Sequence, residues 1–116
     1  MQCLTFLQTL LTMEAMAEYT DDARSRVAAG DIEHQNTLIE AEKIEEILST
    51  GTLVIKTAPA PPHLTEAVRR FSSMIRFRME AGETVLKETL NEVEAIQRHL
   101  DAGKLRIEPV GIPAAA

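Results

Sequence analysis

Laid over itself with a shift of 52 residues, the chain aligns positions 14–61 with 66–113 without a gap, and 16 of those 48 pairs are identical. Composition alone would give roughly three or four identities at one offset, so the chain reads as a tandem duplication. A fold for it must be assembled from two like units. The shared residues include Arg24/Arg76, Arg26/Arg78, Gly30/Gly82, Glu40/Glu92, Ile44/Ile96, Leu48/Leu100, Gly51/Gly103 and Leu53/Leu105.

Apolar spacing says what each unit contains. Met16, Tyr19, Ala23 and Val27 align with Val68, Phe71, Ile75 and Met79, both sets stepping by 3, 4 and 4, which lines one face of a helix. Thr37, Ala41, Ile44 and Leu48 align with Thr89, Val93, Ile96 and Leu100, stepping by 4, 3 and 4. That is a second amphipathic helix with a coiled-coil-like seam. Gly30 and Gly82 stand between the two helices, where glycine can take the left-handed conformation that ends a helix, leaving Asp31 or Thr84 to cap the next. Gly51 and Gly103 are expected to end the second helices in the same way. Thr52–Lys56 and Lys104–Glu108 then alternate as Leu-x-Ile, the period of a short strand. A lone strand is marginal, so the two are expected to pair with each other or to join a partner's sheet.

The expected fold is therefore mainly α: a tandem duplication of a helix–helix–short strand unit, packed as a four-helix bundle with two short strands. Residues 1–13 read as an apolar extension of the first helix, 14–56 as the first repeat, 57–63 as a Pro-rich linker, 64–108 as the second repeat and 109–116 as a loose tail. The linker, Thr57-Ala-Pro-Ala-Pro-Pro-His63, cannot be helix interior. With aromatics at only 3%, the core must be aliphatic, which suits interdigitating helices better than a sandwich. The single cysteine, Cys3, rules out an internal disulfide and a cysteine-based zinc site, and a cytoplasmic location is the default expectation. Met1–Met13 is apolar and precedes Ala15-Met16-Ala17, but it contains no Lys or Arg and is too short to span a bilayer. Neither a secretory signal nor a membrane partner is expected.

Function is sought where the two copies differ. Residues 14–61 hold ten acids and four bases, a net of −6, whereas 66–113 hold eight of each. The first copy thus carries the whole formal charge, much of it on Glu40, Glu42, Glu45 and Glu46. It also has Ile39 and Ile47 where the second has Asn91 and His99, while the second has Met74 and Phe77 against Asp22 and Ser25. These apolar patches are expected to meet when the halves fold together. The leucines of the first 13 residues, Leu7 and Leu11 among them, add apolar surface suited to a partner or a second copy. The expected partner-binding residues are Ile39, Glu40, Glu42, Glu45, Glu46, Ile47, Leu7 and Leu11. They point to a basic protein partner whose attraction weakens with salt, in a homo-oligomer or a hetero-complex.

Catalytic chemistry is hard to find. Asp31-Ile-Glu-His34 is one arm of a carboxylate–histidine metal motif, but the second copy has Leu86 where His34 stands, and no cofactor or metal is expected. His99-Leu-Asp-Ala-Gly103 lacks the basic residue of a phosphotransfer histidine. The glycines are isolated, so no phosphate loop is visible, and no Ser/His/Asp or Cys/His arrangement appears. The paired Arg-x-Arg segments, Arg24/Arg26 and Arg76/Arg78, do not share a helix face and read as salt-bridge partners. A net charge of −6 disfavours nucleic acid. The expected function is a non-enzymatic protein-binding module (a small adaptor, chaperone or regulator). The alternatives are a self-assembling structural subunit, a histidine phosphotransfer protein or a DNA mimic.

Overall fold

Two antiparallel helix pairs and a small sheet make up the computed structural model, which describes residues 2–109. After strand β1 (Gln2–Cys3) come α1 (Phe6–Ala28), α2 (Gln35–Thr50) and β2 (Gly51–Ile55); then α3 (Pro62–Glu80), α4 (Lys87–Asp101) and β3 (Arg106–Pro109). The chain is mainly helical, with four helices and a three-stranded antiparallel sheet.

The helix ends follow the glycines. Gly30 has φ +100° and Gly82 φ +116°. In the first half Gly30 N–H donates to Val27 O at 3.0 Å and Asp31 N–H to Arg26 O at 2.9 Å. In the second, Gly82 donates to Met79 O and Glu83 to Arg78 O, both at 3.1 Å. This paired bonding satisfies the last carbonyls of a helix and needs the left-handed residue that glycine supplies. A short 3-10 turn follows in each half, Ile32–His34 and Thr84–Leu86, 52 residues apart. The side chains of Asp31 and Thr84, expected to cap the second helices, do not do so, because these turns intervene. Asp31 instead sits 2.8 Å from His34 Nδ1.

Gly51 and Gly103 behave differently from each other, contrary to expectation. Gly103 ends α4 with φ +66° and the same paired bonding, its N–H reaching Leu100 O at 3.0 Å and that of Lys104 reaching His99 O at 2.8 Å. Gly51 is extended, at φ −108°. A side chain there would meet Glu108 O and Ile47 O at 2.8 Å each. It is required by the close approach of β3, not by backbone handedness.

β2 is the central strand. It pairs with β3 in the register Gly51↔Pro109 to Val54↔Arg106, as the two strand patterns led one to expect. On its other side it pairs with β1 through Gln2↔Ile55 and Cys3↔Val54. This third strand was not expected. It places the chain's start in the sheet and leaves α1 to begin only after Thr5, whose hydroxyl accepts from Gln8 N–H at 3.1 Å while the Gln8 side chain accepts from Thr5 N–H. Pro109 belongs to β3 and not to a tail. The remainder of the expected tail, residues 110–116, lies outside the described residues.

One core serves both halves. Met16, Tyr19, Ala23, Ala41, Ile44 and Leu48 are buried, as are their counterparts Val68, Phe71, Ile75, Val93, Ile96 and Leu100, together with Leu53, Leu64 and Leu105. Each large side chain removed from water contributes about 1.5–3 kcal/mol. Buried hydroxyls also match across the halves: Thr20, which donates to Met16 O at 2.9 Å, corresponds to Ser72. The apolar patches that were expected to meet do not cover one another. Ile39 and Ile47 stay exposed on α2, and Phe77 is 73% exposed on α3. Among the described residues, no helix is long and apolar enough to cross a membrane.

Candidate docking groove between the first two helices

The seam between paired helices is stitched at the same place in both halves. Arg24 on α1 reaches Glu42 on α2 at 3.8 Å, and their counterparts Arg76 and Glu94 join α3 to α4 at 2.8 Å. Arg26 pairs with Asp22, and Arg78 with Glu83, so the Arg-x-Arg segments are neutralised as expected. The Arg78 guanidinium, through its hydrogen bonds, holds the Glu83 carboxyl below its ordinary range.

Two turns along the seam the halves part company. In the second half Arg69 lies 3.0 Å from Glu66 and 3.6 Å from Asp101, and Gln97 donates to Asp101 at 2.9 Å. The counterparts in the first half are Ala17, Glu14, Ser49 and Glu45. Among the described residues, no side-chain hydrogen bond or ion pair bridges the helices there. The seam opens into a groove of about 350 Å³ lined by Met13, Glu14, Ala17, Glu45, Leu48 and Ser49.

Its floor is apolar and its walls are acidic. Phe6, Leu10, Met13 and Ala17 recur at i, i+4, i+7 and i+11 and form one outward stripe along α1 that runs into the groove. Phe6 is 80% exposed, Leu10 46% and Met13 36%. Among the described residues, neither Glu14 nor Glu45 has a cation within ion-pair distance. Glu18, one turn beyond Glu14 on α1, has its carboxyl pushed up from the ordinary range, first by burial and then by the Glu14 charge. The groove can therefore accept an apolar ridge carrying positive charge.

The expected partner-binding residues scatter over several places. Glu45 lines the groove, and Glu46 is exposed on the next position of α2. Glu42 is engaged by Arg24. Ile39, Ile47 and Leu7 are exposed, but none of the three lines the groove. Leu11 is buried in the core and presents no surface, because it shares the inward face of α1 with Ala15. Glu40 is exposed but already engaged at the joint of the halves, where its carboxylate takes His63 Nε2 at 2.5 Å. His63 Nδ1 lies 2.8 Å from the Tyr19 hydroxyl, and the Arg70 guanidinium sits 4.9 Å from the Tyr19 ring centre. Burial raises the Tyr19 phenol, so it stays protonated and serves as a tie between α1, α2 and α3.

Sequence reasoning missed Phe6, Leu10, Met13, Glu14, Ala17 and Ser49. The signal was present in the 52-residue alignment, where Arg69 and Asp101, a cross-helix ion pair in one half, face Ala17 and Ser49 in the other. The cleft between α1 and α3, about 390 Å³, is a poorer candidate. Its arginines Arg26 and Arg70 are already held by Asp22 and Glu66. Among the described residues, no three His, Cys, Asp or Glu side chains gather as metal ligands would. Comparison of the chain with models of known families, with curated proteins and with solved structures finds no match.

Proposed function

We propose that this is a non-enzymatic protein-binding module, a small adaptor, chaperone or regulator, that docks an amphipathic helix of another protein in the groove between α1 and α2. The observation that carries this reading is an open apolar groove with two unpaired carboxylates, continuous with an exposed apolar stripe on α1. Helix-in-groove recognition uses such a ridge at i, i+3/i+4 and i+7 spacing, and acidic walls select a basic partner. The two halves are read as duplicated copies forming a four-helix bundle, in which one copy keeps its seam closed and the other has lost the closing pair. An exposed thiol at Cys3 suits a reducing, cytoplasmic setting.

Affinity capture with the tagged chain tests the docking reading. Wild type should retain one stoichiometric partner at low salt and release it at high salt, while Met13→Glu should retain none. Identical eluates from wild type and Met13→Glu would overturn it. Self-association is a second reading, favoured by the exposed Phe77 and Val85 of the second half. It calls for concentration-dependent mass in sedimentation, lost in Phe77→Ser and untouched by Met13→Glu.

A further inference from the structure

Resting on the docking reading, the comparison of the two seams says more about the occupant. We propose that the partner helix carries an arginine on its apolar side, and that this arginine seats over Ala17 and completes the groove as Arg69 completes the other seam.

The second half shows the finished arrangement. Arg69 bridges two carboxylates, Glu66 and Asp101, across two helices, and Glu66 also pairs with Arg70 on its own helix. In the first half Glu14 replaces Glu66 unchanged in chemistry, and Glu45 replaces the neutral Gln97, so there are again two carboxylates. The cation is what is missing, since Ala17 stands in the place of Arg69. Ser49 in place of Asp101 removes the second arm of the bridge and leaves room. The guanidinium is the fitting group, because its planar fork donates to two acceptors at once and its stem covers apolar surface such as Met13 and Leu48. The bound complex would thus reproduce between two proteins an ion pair that the chain already makes within itself.

The test uses the full chain and two labelled 18-residue amphipathic helical peptides, each with a leucine ridge. One carries arginine at the middle of the ridge, and the other carries citrulline, which keeps the shape and removes the charge. Fluorescence anisotropy at low ionic strength should show the arginine peptide binding about tenfold tighter. That preference should vanish in Glu14→Gln/Glu45→Gln. Ala17→Arg should refuse both peptides while melting no lower than wild type, because its own guanidinium fills the seam. Equal affinity of wild type for the two peptides, or full binding by Ala17→Arg, would overturn the arginine inference and leave helix docking standing. Binding of neither peptide to wild type would remove the docking reading and the inference with it.

Discussion

The two helix pairs share their turns, their core positions and one cross-helix ion pair, yet one seam is closed and the other open. Where Arg69 joins Glu66 and Asp101, the second half has spent its charges on itself. Where Ala17 and Ser49 stand, the first half leaves Glu14 and Glu45 uncompensated beside apolar surface. Surface ion pairs stabilise little, about 0–1 kcal/mol, so losing one leaves the fold nearly untouched. The difference between the two seams therefore has little bearing on stability.

The strongest challenge to the likeness of the halves is to truncate matched core residues. Ile44→Ala and Ile96→Ala should each lower unfolding stability by about 2–5 kcal/mol in urea titration, with Ile96, the more deeply buried, at the upper end. A loss at only one of them would break the equivalence of the two cores. Next come the glycines whose roles diverge. Gly51→Ala forces a methyl against two backbone oxygens and should cost about 1–3 kcal/mol. Gly103→Ala meets only ordinary contact with Ala58 O at 3.9 Å but a positive φ, and should cost roughly 1 kcal/mol.

A smaller change in stability should bring the larger gain in insight. Arg69→Ala/Asp101→Ser opens the second seam, and should lower stability by no more than about 1 kcal/mol. Isothermal titration with the arginine peptide should still find one site, because Gln97 supplies no carboxylate in place of Glu45. Adding Gln97→Glu should bring the count to two. The finest contrast is in proton binding. Glu18 should titrate above the ordinary glutamate range and Glu83 below it, followed by carboxyl NMR. Glu18 binds its proton more readily folded than unfolded, so its contribution favours the fold as pH drops through its raised pKa. Glu83 behaves oppositely, its contribution being present above the unfolded pKa and lost as pH falls through the lowered one.

Much of the architecture was legible in the sequence because it obeys local periods. The helix faces from Met16 to Ala23 and from Ala41 to Leu48, with their counterparts, follow the 3.6-residue repeat, and Gly30 and Gly82 mark the turns. What escaped depends on distance. Gln2 and Cys3 have no strand pattern of their own and become a strand only because β2 offers its free edge. Leu11 and Leu10 are neighbours in an apolar run, and only packing decides that one is core and the other surface. His63 looked like the end of a linker until α1 and α2 brought Tyr19 and Glu40 to it. The groove escaped because Ala17 carries no pattern of its own and stands out only against Arg69 in the other half.

The position of β2 has a consequence for how the chain folds. Each helix pair is a local hairpin whose contacts close short loops, and it can form early. β2 has no such neighbour: both strands that flank it come from about 50 residues away, one on the N-terminal side and one on the C-terminal side. Closing such long loops is an entropic burden that only prior docking of the hairpins relieves. The sheet is therefore expected to form last, as a clasp closed over hairpins that have already docked.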